Sequence, residues 1–328
     1  TRGATYEDIP AVKALMRASE EFDTGEPAVT VEDVESEWML PGFDPAVDAI
    51  LVLDGDRAVA SAEVPGWRAE ATVHPDARGR GIGTAILGWI ERRAVERADH
   101  GAEIRVGQTV IDTNTDAISL FVRHGYTPRH TSWVLRLPDD VVIGHPPLPH
   151  GVVIRPFDPD REEEQVYRVV EDAFNEWPTR KPSTFEEWRS GVTGRSDFDP
   201  TLLFVAVADQ DVVGVSFGIP YEDEGWVQQL AVRRDHRNQG LAKALLRATF
   251  DELRRRGSPA VGVSTDSRTG ALDLYVDAGM VVRASYTHYS KILDETGAAQ
   301  PETNAPHLRG DVRTREEAIL TVGFSCFR

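Results

Sequence analysis

Two stretches of the chain share one order of apolar and polar positions. Residues 44–64, DPAVDAILVLDGDRAVASAEV, begin with Asp-Pro and continue with an apolar run, a short turn rich in aspartate and a second apolar run. Residues 199–219, DPTLLFVAVADQDVVGVSFGI, repeat that order. Apolar runs of strand length joined by so short a turn predict a β-hairpin in each stretch.

The pattern around the hairpins is duplicated as well. An amphipathic helix is predicted ahead of each hairpin, and a strand, a glycine-containing turn and a long apolar-periodic helix are predicted after it. The chain is therefore predicted to contain two tandem domains of mixed α/β class, 1–136 and 152–293, each a central sheet with helices on both faces. Prolines and glycines in 137–151 predict a linker, and the polar composition of 294–328 predicts a flexible tail.

The turn before each long helix is nearly bare of side chains. It is ARGRGIG in the first half and HRNQGLA in the second, so that Arg78 or Arg237 is followed by small residues at the start of the helix. A helix N-terminus presents unpaired backbone N–H groups and the positive end of the helix dipole, which together favour an anion such as a diphosphate. The arginine is expected to add a charged hydrogen bond to that phosphate.

Two other phosphate motifs do not fit these turns. The P-loop requires Lys followed by Ser or Thr after its last glycine, and the dinucleotide fingerprint opens a βαβ unit, whereas these glycines follow a hairpin. The turns instead resemble the pyrophosphate loop Arg/Gln-x-x-Gly-x-Gly/Ala of the GCN5-related N-acetyltransferase (GNAT) superfamily. The matching residues are Arg78, Gly79, Arg80, Gly81, Ile82 and Gly83 in the first half and Arg237, Asn238, Gln239, Gly240, Leu241 and Ala242 in the second.

A second GNAT signature, Asn-x-x-Ala-x-x-Leu-Tyr-x-x-x-Gly-Phe, follows each loop. The matching residues are Asn114, Ala117, Leu120, Phe121, Gly125 and Tyr126 in the first half and Ala271, Leu274, Tyr275, Gly279 and Met280 in the second. As a tandem GNAT chain of this length, the protein also resembles the mycothiol synthases, in which the C-terminal domain is the acetylating one. No residue of this sequence identifies the acceptor.

The resemblance implies acetyl transfer from acetyl-CoA to a primary amine. The central strand of each domain is expected to splay from its neighbour, so that backbone N–H groups hold the acetyl oxygen. Tyr275 is expected to protonate the departing thiolate, whereas Phe121, at the same place in the first half, cannot donate a proton. In the second half the backbone groups are those of Leu230, Ala231 and Val232.

Neither half holds both an acid and a base. The family often places a carboxylate on the central strand to take the proton of the amine; the first half has Glu70 there, and the second has Gln229. We expect the second half to be catalytic because Tyr275 is the more diagnostic group. The acidic segment 222–224 could attract a cationic amine or could be a solvated turn. Two interpretations stay open for Trp177, Arg180 and Lys181: they line the acceptor pocket, or they belong to a mobile surface loop.

Composition limits the partners. A net charge of −18 argues against nucleic acid, which needs a basic face, and the sequence predicts neither a membrane-spanning helix nor a metal site. The single cysteine, Cys326, cannot form an internal disulfide, in keeping with a cytoplasmic protein. The leading prediction is an acetyl-CoA-dependent N-acetyltransferase of small-molecule amines that acts mainly through its C-terminal domain. Two alternatives stay open: both domains are active, with Glu70 and water in place of the phenol, or the chain is a non-catalytic acyl-CoA-binding or partner-binding module.

Overall fold

The chain folds into two compact units. A computed structural model describes residues 1–26, 29, 31–40, 42–176, 182–195 and 198–300. Among these, unit 1 contains Thr1–Ser132 together with residues 284–300, and unit 2 contains Trp133–Arg283.

Unit 1 has helices on both faces of an antiparallel sheet. Its elements in chain order are β1 (Arg2–Gly3), α1 (Ile9–Thr24), α2 (Val31–Trp38), α3 (Pro45–Asp48), β2 (Ala49–Asp54), β3 (Arg57–Glu63), β4 (Glu70–Val73), α4 (Ile82–Arg97), β5 (Ile104–Ile111), α5 (Thr115–Arg123) and β6 (Thr127–Leu137). Strands β1 to β4 pair antiparallel in that order. Successive residues of β2 face opposite sides, so that Leu51 packs with Trp38 of α2 while Ile50 packs towards Ile90 of α4.

Unit 2 repeats this arrangement. Its elements are β7 (Val152–Pro156), α6 (Glu163–Phe174), α7 (Phe185–Gly191), β8 (Leu203–Ala208), β9 (Asp211–Pro220), β10 (Gly225–Val232), α8 (Leu241–Arg255), β11 (Val261–Asp266), α9 (Leu272–Asp277) and the start of β12 (Val281–Leu293). The neighbour order of its strands is β6-β11-β10-β9-β8-β7, with β10 and β11 parallel. Trp188 of α7 belongs to the core on one face, and Phe250 of α8 belongs to the core on the other. The predicted mixed α/β class is confirmed.

Small residues on β9 let α8 pack close to the sheet. A methyl group built on Gly214 would lie 2.8 Å from Leu245 Cδ1, and one built on Gly218 would lie 2.6 Å from Thr249 Cγ2. Between them on the strand, Ser216 Oγ accepts a hydrogen bond of 2.7 Å from Thr249 Oγ1. Any larger side chain at these glycines would push α8 away from the strand that it covers.

The compact units do not coincide with the two sequence repeats. Residues 286–293 of β12, which end the second repeat, pair antiparallel with β5 of the first repeat. Conversely, β6 ends the first repeat, and its residues 133–137 belong to unit 2. The predicted boundaries at 136 and 293 therefore mark the ends of the sequence repeats and not the limits of the compact units. Each closing strand, β6 or β12, has residues in both units.

The segments predicted as linker and tail are partly packed. In 137–151, the backbone oxygens of Pro138 and Val141 each accept a 3.1 Å hydrogen bond from Arg254 of α8. Residues 294–300 are not free either, because Asp294 N–H donates to Ala298 O at 2.9 Å and Gln300 N–H donates to Ile292 O at 2.9 Å. The rest of the predicted tail, 301–328 with Cys326, lies outside the described residues.

Candidate active sites

Each phosphate loop has a glycine at the N-cap position of the following helix, where it offers no side chain to the helix N–H groups. Gly81 has φ 81° ahead of α4, and Gly240 has φ 82° ahead of α8, a left-handed conformation in which a side chain is strained. Within the described residues, no side chain accepts a hydrogen bond from the first turn of either helix. These N–H groups are therefore available to an anion, as the sequence predicts.

The surroundings of the two capping glycines differ. A methyl group built on Gly240 would lie 3.2 Å from Pro146 Cβ and 3.7 Å from the Pro147 carbonyl oxygen. One built on Gly81 would have none of the described atoms within 4 Å. The residues between the repeats thus border the loop of unit 2 and leave no such contact at the loop of unit 1.

The arginines that open the loops are held by carboxylates. Arg237 donates from both terminal nitrogens to Glu176, at 2.7 and 3.0 Å, and from Nε to the carbonyl oxygen of Val232 at 3.0 Å. Arg78 does the same in unit 1, with donor distances of 2.7 and 2.8 Å to Asp23 at the end of α1. Both guanidinium groups therefore tie the loop to a carboxylate at or just after the end of the first helix of their unit, and their predicted contact with phosphate stays a prediction.

The central strand of unit 2 separates from its neighbour as the resemblance implies. β10 pairs with β11 only over Gly225–Val227, and the remainder of β10 pairs with β9 alone. The separation begins at a bulge between Val227 and Gln229. In unit 1 the segment just before β4 contacts β5 through an isolated parallel bridge between Arg68 and Gly107. Each unit therefore has a gap beside its central strand.

The ladder with β9 decides which backbone groups face this gap. Arg233 N–H donates to Val213 O at 2.9 Å, and antiparallel pairs alternate between hydrogen-bonded and non-hydrogen-bonded positions. The amide of Ala231 therefore points to β9, whereas the amides of Leu230 and Val232 point to the gap. Two of the three amides expected from the sequence are thus in place to hold an oxygen.

Tyr275 lies on α9 in the apolar core of unit 2. It packs among Val227, Leu246 and Val263, and burial raises the pKa of its phenol. A phenol with a raised pKa keeps its proton at neutral pH. In unit 1 the corresponding Phe121 lies with its ring centroid 5.6 Å from those of Tyr126 and Tyr289.

Unit 1 has carboxylates where unit 2 is neutral. Glu70 on β4 stands opposite Glu63 on β3, and their carboxylate oxygens, with one from Glu37, lie within 4.8 Å of one another. Burial and the charge of Glu70 raise the pKa of Glu63. In the described part of the chain, this is the one group of side chains spaced to hold a metal ion.

Several features of the site were not expected from the sequence. Trp38 Nε1 donates to Glu63, and the equivalent tryptophan of unit 2 is Trp188. The acidic segment is not simply a solvated turn, because Glu224 is buried and its carboxylate lies 3.3 Å from Arg136 Nε. Trp177, Arg180 and Lys181, suggested for the acceptor pocket, lie outside the described residues.

Both halves match known acetyltransferases. Residues 163–280 match the acetyltransferase (GNAT) family, and residues 48–128 match an acetyltransferase (GNAT) domain. The chain belongs to the GNAT family and is an N-acetyltransferase with two tandem GNAT domains. In the described part of the chain, no helix has the length and apolar character needed to cross a bilayer.

The similarity to known proteins extends over most of their length. The chain is 30% identical over 287 residues to a mycothiol acetyltransferase of Thermomonospora curvata, covering 84% of this chain and 91% of that one. It is 28% identical over 300 residues to a mycothiol acetyltransferase of Streptomyces coelicolor, with coverages of 87% and 92%. A solved GCN5-related N-acetyltransferase from Sphaerobacter thermophilus superposes with a TM-score of 0.76 at 35% identity, covering 89% of this chain and 94% of that one.

Proposed function

We propose that the chain transfers the acetyl group of acetyl-CoA to the primary amine of a small molecule, and that unit 2 performs the reaction. The observation that carries this proposal is the coincidence of three features in unit 2: an uncapped phosphate loop at Gly240, a strand gap faced by two amides, and Tyr275. Unit 1 has an equivalent loop at Gly81 and a gap beside its central strand, and it has Phe121 in place of the phenol.

Acetyl-CoA supplies the thioester that is attacked. The N–H groups at the start of α8 bind its diphosphate, and the amides of Leu230 and Val232 stabilise the negative charge that develops on the thioester oxygen. The amine nitrogen bonds to the carbonyl carbon, the carbon–sulfur bond breaks, and the Tyr275 hydroxyl gives its proton to the sulfur. The proton released by the amine passes to water and then to the phenolate. Gln229 has no basic group and takes no part in proton transfer.

The mycothiol acetyltransferases suggest the class of acceptor. Because two such relatives cover most of this chain, we propose a mycothiol-related amine as its acceptor. An amine of this kind is largely protonated at neutral pH, so turnover is expected to rise with pH as the neutral form becomes available.

The proposed activity can be measured as free thiol released from acetyl-CoA in the presence of amines. The full chain is assayed against a mycothiol-related amine, amino sugars and amino acid amides. Tyr275→Phe is expected to lower kcat by about 10²–10⁴ with little change in the KM for acetyl-CoA, because the hydroxyl acts in the transition state.

Tyr289→Phe is the matched control, since it removes the hydroxyl of another buried tyrosine, in unit 1. It is expected to keep the wild-type rate. Equal losses in the two variants would contradict the assignment to unit 2. Coenzyme binding with no thiol release for any amine would instead favour the alternative of a non-catalytic acyl-CoA-binding module.

A further inference from the structure

The two repeats have equivalent buried tryptophans that differ in the hydrogen bonding of the indole N–H. Trp38 in unit 1 and Trp188 in unit 2 each follow a glutamate in the second helix of their repeat, and both are buried. Trp38 Nε1 donates to the carboxylate of Glu63, which stands opposite Glu70 in the sheet. The corresponding cross-strand pair in unit 2 is Phe217 and Gln229. Phe217 cannot accept a hydrogen bond, so the indole of unit 2 has lost the partner that its counterpart has.

Two polar atoms in unit 2 are consequently unpaired. Trp188 is 4% exposed and Gln229 is 8% exposed, and within the described chain Trp188 Nε1 and Gln229 Oε1 have no hydrogen-bond partner. Buried polar groups are nearly always paired, because an unmet donor or acceptor costs free energy. A pair of them, one donor and one acceptor, needs an explanation.

Both residues face the same side of the sheet. Trp188 packs in one core cluster with Phe217 and Ala231. Gln229 stands directly opposite Phe217 and two residues before Ala231, with no bulge between, so its side chain projects to that same face. This is the face covered by α6 and α7, beside the strand gap in which the acetyl oxygen would be held.

We propose that Gln229 and Trp188 are the polar anchor of the acetyl acceptor in unit 2. The amide oxygen of Gln229 accepts a hydrogen bond from the amine N–H, and the indole N–H of Trp188 donates to an oxygen elsewhere on the same molecule. The acceptor class is a small molecule that carries a primary amine next to a hydroxyl or carbonyl oxygen. Both are positioning residues, and this inference rests on the proposed function.

The oxygen requirement is tested with two amines that differ in one hydroxyl. The probes are trans-2-aminocyclohexanol and cyclohexylamine, with acetyl-CoA and the full chain. The wild-type chain is expected to favour the amino alcohol by about tenfold in kcat/KM, the discrimination that one hydrogen bond supplies. Trp188→Phe is expected to reduce this preference to about one. Trp38→Phe, the same change in unit 1, is expected to leave the preference intact although it removes a donor from Glu63.

The role of Gln229 is tested with a side chain of similar volume. Gln229→Met is expected to raise the KM of both amines by about tenfold while the kcat changes little, because binding is lost uniformly. The same variant is expected to raise the unfolding temperature by about 2–4 °C, since it removes an unmet polar group. Thr249→Val is the matched control: it removes a hydroxyl that is satisfied by Ser216, so it lowers that temperature.

The outcomes separate the anchor from the activity. Turnover of both amines with unchanged KM values and an unchanged preference in the two variants would overturn the anchor and leave the acetyltransferase proposal standing. A lower unfolding temperature for Gln229→Met would also overturn it, whatever the activity, because the glutamine would then be structural. Absence of turnover with any amine, together with a raised unfolding temperature, would refute the proposed function while supporting a ligand-binding role for the pair.

Discussion

Each phosphate loop is held by an ion pair between its first arginine and a carboxylate, and the two pairs differ in burial. The side chains of Arg78 and Asp23 in unit 1 are 19% and 10% exposed, and those of Arg237 and Glu176 in unit 2 are 35% and 41% exposed. Replacing the acid by its amide keeps the shape and removes the charge. Breaking a buried pair by removing one partner costs about 3–5 kcal/mol, whereas an exposed pair contributes about 0–1 kcal/mol.

Asp23→Asn should therefore be much more damaging than Glu176→Gln. Asp23 is nearly buried and also accepts from Asn114 Nδ2 at 3.3 Å, so we expect a loss of about 2–4 kcal/mol in the free energy of unfolding of unit 1. For unit 2 the loss should be below about 1 kcal/mol, because solvent screens the pair. For units of this size these losses correspond to about 5–12 °C and at most about 3 °C in unfolding temperature.

Scanning calorimetry of the full chain measures both variants, with Asp54→Asn as a control that breaks the exposed pair to Arg80.

The pH dependence of stability tests the pair of unit 2 in a second way. The hydrogen bond from Arg237 lowers the pKa of Glu176, so its contribution is present above the unfolded pKa and is lost as the pH falls through the lower folded pKa. The small difference between wild type and Glu176→Gln should vanish in acid. Equal losses for Asp23→Asn and Glu176→Gln at neutral pH would refute the burial argument.

Two further predictions concern the loops and the carboxylates. Gly81→Glu and Gly240→Glu should each remove one of two acetyl-CoA sites in calorimetric titration, because they place a negative charge at the start of a helix whose N–H groups are uncapped. The matched Gln variants carry the same backbone strain without the charge. Only Gly240→Glu should abolish turnover. Equal affinity in the Glu and Gln variants would contradict the phosphate role. Glu63→Gln should stabilise unit 1 at neutral pH, because the pKa of Glu63 is raised in the folded state and its contribution to stability is lost as the pH rises. The gain in the free energy of unfolding should shrink towards pH 4. A variant less stable than wild type at pH 8 would refute this prediction.

The repeated fold could be predicted from sequence because its signals are local. A hairpin, a glycine turn and an amphipathic helix are each specified within about 20 residues, and each occurs twice. The strand gap was expected only from the resemblance to the GNAT superfamily, whereas the loops at Gly81 and Gly240 were predicted in this way. Their backbone conformations follow from the glycine positions and from the helix that starts there.

The division of the closing strands could not be predicted. β12 and β6 have strand-like sequences, but alternation specifies which face of a strand is buried and does not specify its neighbour. The pairing of Tyr286 with Ile111 joins residues that are far apart in the chain. The ion pairs of Arg78 and Arg237 could not be predicted from the loop motif either, because the carboxylates that bind them lie elsewhere in the chain.

The two repeats carry different chemical groups at three equivalent positions of the candidate site. Unit 1 has Phe121, Glu70 and Glu63 where unit 2 has Tyr275, Gln229 and Phe217, so carboxylates occur in the unit without the phenol. Burial and the charge of Glu70 raise the pKa of Glu63, and adjacent carboxylates favour a bound cation. In unit 2 the corresponding positions hold the neutral amide of Gln229 and the buried phenol of Tyr275, whose raised pKa keeps its proton on at neutral pH. This set of differences supports the proposal that unit 2 performs the acetyl transfer, since unit 1 lacks the phenol.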